Sequence, residues 1–328
     1  MKEIVNIINK YKTFSLFCHI SPDADALGSV NALRLVLKKM NKKAYIFCDG
    51  KIPMNISFLK VPLEDKVSKI AKSDVCIMLD CNSLDRIGKY AEYFEKAKIR
   101  LNIDHHQALD YKFDYSYANS SSPSTSDLVY DIIKNLDVTI NSEIALNLYA
   151  GLSSDTGCFQ HPSTNYTSHK HAYELINYNF DLQEANYNMF KFKHKNYLFF
   201  YKSALRNTKP YLNGKLYITY FNNRTYRRFE KICQNSECFQ FLDGIDGNEI
   251  RVKIIEKQKG FFTLSFRANR YANVCEVAKH FDGGGHIRAS GGKATGSYKE
   301  ILNNVINACK EELEKYPNEG KKGRKTKW

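Results

Sequence analysis

Three side chains that can bind a metal ion lie close together near the start of the chain. His19, Asp23 and Asp25 follow a short apolar run at 13–18, and residues 32–40 then repeat apolar side chains at helical spacing. Carboxylates suit hard cations and imidazoles suit transition metals, so this mixture favours a divalent ion of intermediate character such as Mn²⁺. A structural role is the alternative, because Ser-Pro-Asp is common in turns and Asp25 could cap the helix.

More candidate ligands stand at the ends of other predicted elements. They are Asp80, Asp104, His105, His106 and Asp155. Asp155 follows a predicted helix, where the helix dipole disfavours a carboxylate unless a cation compensates it. Each residue by itself would be typical of a turn, whereas their repetition after successive apolar segments predicts a shared metal site.

The elements around these residues predict an α/β fold. Strands alternate with helical segments and are nearly continuous apolar runs, which is typical of a parallel sheet covered on both faces. Strands are predicted at 13–18, 43–49, 74–80 and 98–103, and two later helices at 126–136 and 143–152. In a doubly wound parallel sheet of this kind the carboxyl ends of all strands lie on one edge, so the candidate ligands should converge there.

Length and charge narrow the class of protein. The chain has 328 residues, more than a typical single domain, and its 43% hydrophobic residues can supply two cores. The formal net charge of +14 favours a polyanionic partner such as a nucleic acid or a nucleotide. A genome rich in A and T would also enrich Lys, Asn, Ile, Tyr and Phe, so the charge permits such a partner without requiring it.

The cysteines and the apolar runs indicate where the protein works. Nine cysteines, an odd number without any Cys-x-x-Cys, argue against a disulfide framework and against a zinc ribbon. No run approaches the roughly 18 apolar residues that a membrane span needs, and the N-terminus does not resemble a signal peptide. We therefore expect a cytoplasmic protein with no membrane partner.

The second half of the chain predicts a smaller α/β domain with a mixed sheet. Helical patterns at 173–178 and 182–197 lead into it. Its predicted strands are 216–221, 249–255 and 261–267, the last two joined by a Gln-Lys-Gly turn into a hairpin.

A glycine cluster follows this hairpin. The segment 281–292 reads Phe-Asp-Gly-Gly-Gly-His-Ile-Arg-Ala-Ser-Gly-Gly. Glycines let the backbone approach a ligand closely and present N–H groups to an anion, and His286 and Arg288 add further donors. The segment is therefore a candidate phosphate-binding loop, with an ordinary turn as the alternative.

Taken in order, the candidate ligands resemble the motifs of the DHH phosphoesterase family. These motifs are His19-x-x-x-Asp23-x-Asp25, Asp80 after an apolar strand, Asp104-His105-His106, and Ser154-Asp155-Thr156-Gly157. The resemblance implies two divalent metal ions, usually Mn²⁺. One would be held by His19, Asp23 and Asp80, and the other by Asp25, Asp80, His105 and Asp155, with Asp80 as the bridge. Ala24 stands where many relatives have Gly, a change too small to disturb the loop.

The resemblance also agrees with a chemical reading of the Asp-His-His segment. Two cations clamped by a shared carboxylate can activate a water molecule for an in-line displacement at phosphorus. His106 would neutralise a phosphate oxygen as a donor, and Asp104 would orient His105.

The glycine cluster resembles the signature of the DHH-associated C-terminal domain. Gly-Gly-Gly-His-x-x-Ala-Ser-Gly matches that signature, and Ser265-Phe266-Arg267 resembles its accompanying strand. In the family this domain binds the nucleotide part of the substrate. The implied substrate-binding residues are Arg267, Gly284, Gly285, His286 and Ser290.

These observations predict four segments. They are a DHH catalytic, metal-binding domain at 1–185, a helical linker at 186–209, a DHH-associated substrate-binding domain at 210–316, and a basic disordered tail at 317–328.

The resemblance is strongest to the nanoRNase and pAp phosphatase group of the family. We therefore expect an Mn²⁺-dependent phosphoesterase that hydrolyses short oligoribonucleotides to mononucleotides, with 3′-phosphoadenosine 5′-phosphate (pAp) as a second substrate. The expected partners are short RNA or nucleotide substrates, and a homodimer is a candidate assembly.

Other functions stay open. A phosphodiesterase acting on cyclic di-AMP or on the linear dinucleotide pApA would use the same residues. A related inorganic pyrophosphatase would share the metal motifs but would not be expected to carry the glycine cluster. A non-catalytic RNA-binding protein would explain the charge, but it would not need six well-spaced ligand candidates.

Overall fold

The structure, a computed structural model, describes residues 1–106, 111–233 and 241–319. It separates into two compact units, Met1–Phe192 and Lys193–Trp328. Residues 320–328 of the predicted basic tail lie outside the described residues, and residues 317–319 form a turn.

The first unit is built on a five-stranded parallel sheet. Its strands are β1 (Thr13–Phe17), β2 (Lys43–Phe47), β3 (Val75–Leu79), β4 (Arg100–Asp104) and β5 (Tyr115–Ala118). They are arranged in the order β2-β1-β3-β4-β5, and every pair is parallel. The first four strands lie where the apolar runs predict them, whereas β5 is mostly polar and was not predicted.

Helices cover both faces of this sheet. They are α1 (Lys2–Lys10), α2 (Ala24–Lys39), α3 (Ser68–Ala71), α4 (Ala91–Glu95), α5 (Thr125–Lys134), α6 (Ser142–Asp155), α7 (Tyr166–Ile176) and α8 (Leu182–Asn186). Short 3₁₀ segments occur at Met54–Leu59 and Leu84–Tyr90, and a π-helical turn at Tyr187–Lys191.

Successive side chains of the central strand, β3, point to opposite faces of the sheet and contribute to two separate cores. Val75, Ile77 and Leu79 of β3 pack in a core with α2, α5 and α6. Cys76 and Met78 point the other way, into an aromatic core with residues of the Leu84–Tyr90 segment and α4. Because successive side chains of a strand point to opposite faces, an apolar strand needs cover on both sides. The predicted doubly wound α/β class is confirmed.

Close packing of α2 against α6 places the two helices that carry candidate ligands. A Cβ atom at Gly28 would lie 2.3 Å from the carbonyl oxygen of Asn147, so only glycine allows this approach. Asn31 donates from Nδ2 to Asn147 Oδ1 at 3.0 Å in the same buried seam. These contacts fix the position of α6 along the axis of α2, and so the position of the end of α6 relative to the start of α2.

The second unit contains a six-stranded mixed sheet. Its strands are β6 (Thr208–Tyr211), β7 (Leu216–Phe221), β8 (Ile250–Gln258), β9 (Phe261–Ala268), β10 (Gly284–His286) and β11 (Ala289–Thr295), and its helices are α9 (Tyr197–Arg206), α10 (Asn223–Cys233), α11 (Val274–Lys279) and α12 (Tyr298–Glu314). A 3₁₀ turn occurs at Leu212–Gly214. The strand order is β10-β11-β9-β8-β7-β6, in which only the β7–β8 pair is parallel.

The glycine cluster is part of this sheet, which differs from the predicted loop. Gly284–His286 pairs with Ala289–Gly291 as an antiparallel hairpin around a two-residue turn. Gly285 has φ of 140°, and a Cβ atom there would lie 2.7 Å from the carbonyl oxygen of Ala289, so the hairpin requires glycine at this position. Over the described part of the chain, no helix combines the length and the apolar character that crossing a membrane demands.

Candidate metal centre

The candidate ligands converge at the carboxyl edge of the parallel sheet. His19 lies two residues after β1, Asp80 directly follows β3, and His105 directly follows β4. Asp25 lies in the first turn of α2, and Asp155 is the last residue of α6. The parallel arrangement therefore brings together residues up to 136 positions apart in sequence (155 − 19 = 136).

Asp80 lies at the middle of the group. It is buried, and its backbone has φ of 55°, a left-handed conformation that costs a residue other than glycine about 1–3 kcal/mol. Its Oδ2 lies 3.5 Å from His19 Nε2, and its Oδ1 lies 3.5 Å from His105 Nε2. The two oxygens of one carboxylate thus face different imidazoles, and Oδ1 also lies 3.8 Å from His106 Nδ1.

One cluster of donors consists of His19, Asp23 and Asp80. Asp23 Oδ2 lies 3.8 Å from His19 Nε2. Asp23 Oδ1 accepts hydrogen bonds of 3.0 Å from the backbone N–H groups of both Asp25 and Ala26, so Asp23 also caps α2. The cap considered for Asp25 in the sequence therefore belongs to Asp23.

A second cluster consists of Asp25, His105 and Asp155, and a further group of possible donors, Asp80, His105 and His106, overlaps both clusters. His105 Nε2 lies 3.1 Å from Asp155 Oδ2. Burial raises the pKa of Asp25 well above its ordinary range, and the nearby charges of Asp155 and Asp80 raise it further. Burial would lower the pKa of His105, but its contact with Asp155 and the charge of Asp80 raise it to about 10.

These donors fit a divalent cation. In each cluster, one ligand atom from every residue lies within 4.8 Å of the others. The donors are carboxylate oxygens and imidazole nitrogens, the mixture that Mn²⁺ and related ions accept. Crowded carboxylates repel one another, and a cation between them removes that repulsion.

The Asp-His-His segment differs from expectation in one respect. The Asp104 carboxylate contacts His106 and not His105: Oδ1 lies 2.6 Å from His106 Nδ1 and accepts the His106 backbone N–H at 3.2 Å. An Asp readily bonds the backbone two residues ahead, and this local turn selects His106 as its partner. Burial would lower the pKa of His106, but Asp104 and Asp80 outweigh it and raise that pKa.

The start of α5 contributes contacts that the sequence did not predict. The Thr125 backbone N–H donates to Asp25 Oδ2 at 2.7 Å, and the Ser126 backbone N–H donates to Asp25 Oδ1 at 2.8 Å. The Thr125 hydroxyl donates to Asp80 Oδ1 at 3.0 Å. The segment Ser-Thr-Ser-Asp at 124–127 is recognisable as a helix start, but nothing in it indicates which carboxylates it meets.

The predicted substrate-binding residues lie together in the second unit. In the sheet register, Arg267 pairs with Ala289, which pairs with His286. Ser290 is buried and donates from Oγ to the His286 carbonyl oxygen at 2.8 Å. Gly284 is exposed, and a Cβ atom there would meet nothing within 4 Å.

Arg251 of β8 is a further basic residue of this sheet that sequence reasoning missed. It lies directly opposite Arg267 and forms an ion pair with Asp243. Burial, followed by the charge of Arg267, lowers the pKa of Arg251 to about 10. Its signal was present in the sequence as a basic residue that alternates with apolar residues in the predicted strand.

Comparison with known proteins supports these features. Residues 13–152 match the DHH family, N-terminal domain. The chain is 28% identical over 316 residues to the Bacillus subtilis protein described as "Bifunctional oligoribonuclease and PAP phosphatase NrnA", covering 94% of this chain and 98% of that protein.

Two solved structures share the fold. An exopolyphosphatase-related protein from Bacteroides fragilis superposes with a TM-score of 0.86 at 22% identity, over 96% of this chain and 95% of that one. RecJ of Thermus thermophilus in complex with Mn²⁺ has a TM-score of 0.54 at 12% identity, over 94% of this chain and 54% of that one. The two structures show the fold, and the family match with the sequence relative identifies a protein that contains a DHH family N-terminal domain and is similar to NrnA over nearly its whole length.

Proposed function

We propose that the chain is a two-metal phosphoesterase that hydrolyses short oligoribonucleotides to mononucleotides and removes a phosphate from pAp. The observation that carries the two-metal part is the Asp80 carboxylate, whose oxygens face His19 and His105 at 3.5 Å each. A carboxylate with one oxygen toward each of two donor clusters is suited to bridge two cations. The substrates are proposed from the name of the B. subtilis relative, which covers nearly the whole chain.

In this proposal each cluster holds one ion. His19, Asp23 and Asp80 would hold the first, and Asp25, Asp80, His105 and Asp155 the second. Such a pair, when bound, supplies Lewis-acid activation of water and charge stabilisation at phosphorus. T. thermophilus RecJ, which shares the fold, was solved in complex with Mn²⁺, which makes Mn²⁺ the ion to test first.

His106 has a separate proposed role. The contact with Asp104 and the charge of Asp80 raise the pKa of His106, which favours the charged imidazole, and Asp104 fixes its orientation through a 2.6 Å contact. A fixed imidazolium can donate to a nonbridging phosphate oxygen, where negative charge increases in the transition state. In this role His106 would act as a hydrogen-bond donor, because the contact with Asp104 favours the charged form.

The nucleotide part of the substrate is proposed to bind the second unit. Arg267 and His286 supply positive charge and donors, while Gly284 and Gly285 allow close approach to the backbone. Ser290 would act indirectly, since its hydroxyl supports the His286 backbone. Burial lowers the pKa of Arg267, which indicates that the guanidinium lacks full hydration and would gain from an anion.

A substrate panel tests the proposal. Initial rates would be measured with Mn²⁺ and then with chelator on a diadenylate, a five-residue RNA, pAp, pApA, cyclic di-AMP and pyrophosphate. We expect turnover of the diadenylate, the short RNA and pAp, and loss of all turnover with chelator. Fastest turnover of cyclic di-AMP or pApA would instead assign the dinucleotide phosphodiesterase function. RNA binding without metal-dependent cleavage of any member would contradict the enzymatic proposal.

A further inference from the structure

We infer that Thr125 is a positioning residue that sets the geometry of the second donor cluster, Asp25, His105 and Asp155, and of the Asp80 oxygen that faces it, with a smaller effect on the first cluster. This rests on the proposed two-metal centre. Thr125 is fully buried and touches two of the carboxylates assigned to the second ion. It contacts no residue that is specific to the first cluster among the hydrogen bonds of the described residues.

The hydroxyl of Thr125 selects one oxygen of the bridging carboxylate. It donates to Asp80 Oδ1 at 3.0 Å, the oxygen that faces His105, whereas Asp80 Oδ2 faces His19. A carboxylate rotates about its Cβ–Cγ bond with a broad minimum, so an added hydrogen bond decides its orientation. Thr125 therefore fixes the direction in which Oδ1 presents its remaining lone pair to the second cluster.

The backbone of the same residue fixes a second ligand. The Thr125 N–H holds Asp25 Oδ2 at 2.7 Å, and the next N–H, from Ser126, holds Oδ1 at 2.8 Å. Two N–H groups that have no partner within their own helix, at its positive end, favour an ionised carboxylate. They oppose the burial that raises the pKa of Asp25, and they leave one defined orientation for that side chain.

The start of α5 is held in place by several hydrogen bonds, so it can fix the positions of the carboxylates that it contacts. Ser124 caps the helix by accepting the Asp127 N–H at 3.0 Å. Asp127 in turn accepts from Ser122 Oγ at 2.9 Å and lies 2.6 Å from His171 Nδ1 of α7. All four of these residues are buried, so a shift of Thr125 would break several hydrogen bonds at once.

The space around Asp25 is small, which further restricts the orientation of its carboxylate. Gly151 of α6 passes directly beside the contact: a Cβ atom there would lie 2.6 Å from Asp25 Oδ1 and 1.9 Å from Ser126 Oγ. α5 and α6 thus enclose Asp25 from two sides. Loss of the Thr125 hydroxyl would release Asp80 Oδ1 but not Asp25, so the expected effect is a weakened site and not a collapsed one.

Thr125→Val and Thr125→Ser separate positioning from packing. Valine keeps the branched shape and removes the hydroxyl, and serine keeps the hydroxyl and removes a methyl group. The number and strength of Mn²⁺ sites would be measured by titration, with the electron paramagnetic resonance signal of free Mn²⁺ as the readout. We expect two sites in the natural protein. In Thr125→Val we expect one site weakened about 10–100-fold, the usual effect of losing a hydrogen bond to a metal ligand, and the other weakened much less. Thr125→Ser should bind Mn²⁺ at both sites as strongly as the natural protein does.

Thr219→Val is a matched control. Thr219 is also buried, and its hydroxyl shares a 2.7 Å hydrogen bond with Thr208 in the second unit, so Thr219→Val makes the same atomic change at a residue outside the donor clusters. Its Mn²⁺ titration should equal that of the natural protein. Three results would overturn the inference: two unchanged sites in Thr125→Val, equal weakening of both sites, or a Thr125→Ser variant as weak as Thr125→Val. A natural protein that binds fewer than two Mn²⁺ ions would instead contradict the proposed two-metal centre.

Discussion

The Asp104 carboxylate lies 2.6 Å from Nδ1 of His106. Asp104 is buried at the end of β4, so the imidazole that it holds lies at the edge where the sheet ends. The adjacent histidines consequently differ in their nearest partners: His105 Nε2 lies 3.1 Å from Asp155, while His106 Nδ1 lies nearest to Asp104 and 3.8 Å from Asp80. The first prediction follows from this difference.

His106→Ala should reduce kcat by about 10²–10³-fold, the usual cost of removing one donor to a developing negative charge. Because His106 is not among the residues proposed to hold either ion, the Mn²⁺ content should stay at two per chain. Turnover of pAp and metal analysis of the same samples would check both statements. His169→Ala is the control, since His169 stacks on Phe159 and belongs to neither cluster. Loss of bound metal in His106→Ala would show that His106 is a ligand.

Asp80→Asn should remove both metal sites and reduce activity below about one thousandth, because one amide cannot replace a carboxylate that bridges two cations. The fold should survive, since Asn tolerates the left-handed backbone that Asp80 adopts at φ of 55°. Circular dichroism and metal analysis would test these outcomes. Asp49→Asn is a matched control: Asp49 lies two residues after β2, near the same edge of the sheet, but it pairs with Lys89 at 3.1 Å. A folded Asp80→Asn protein with two ions per chain would contradict the assignment.

The metal-free protein should lose stability as the pH rises from about 6.5 to about 10. The pKa of His105 is raised from its ordinary 6.5 to about 10, so the folded state holds a proton in this range that the unfolded chain releases. Stability from this proton is complete below the lower value and is lost as the pH passes the upper one. Thermal unfolding in chelator across this range would measure the slope, and His105→Gln should flatten it. With Mn²⁺ present the slope should shrink, because a metal ligand must be unprotonated.

Arg267→Ala should raise the KM for pAp and diadenylate at least tenfold while leaving Mn²⁺ binding unchanged. Its proposed contact is with the nucleotide part of the substrate, so a small generic phosphodiester such as bis(4-nitrophenyl) phosphate should be turned over almost normally. Steady-state kinetics on both kinds of substrate would show whether the loss is confined to the nucleotide substrates. Arg270→Ala, an exposed arginine three residues further on, serves as the charge-matched control. Equal losses on nucleotide and generic substrates would indicate a structural role for Arg267.

The sequence alone determined the fold class and the meeting place of the candidate ligands. Apolar runs that end in His19, Asp80 and His105 can be recognised locally, and parallel strands must present their carboxyl ends on one edge. Convergence therefore follows from chain direction, without knowledge of any side-chain contact. Strand β5 was not predicted from the sequence because its residues, Tyr-Ser-Tyr-Ala, are mostly polar or exposed and lack the apolar run of a central strand.

Only the tertiary structure decided which donor faces which acceptor. Thr125 lies 45 residues after Asp80 and 100 after Asp25, yet it bonds to both, because α5 packs with its first turn against the end of β3 and the start of α2. The pairing of Asp104 with His106 and the capping of α2 by Asp23 are instead local contacts, between residues two or three positions apart, whose choice depends on side-chain rotation. The chemical types of residues restrict what they can bind, but distances of about 3 Å are set by how helices pack on the sheet.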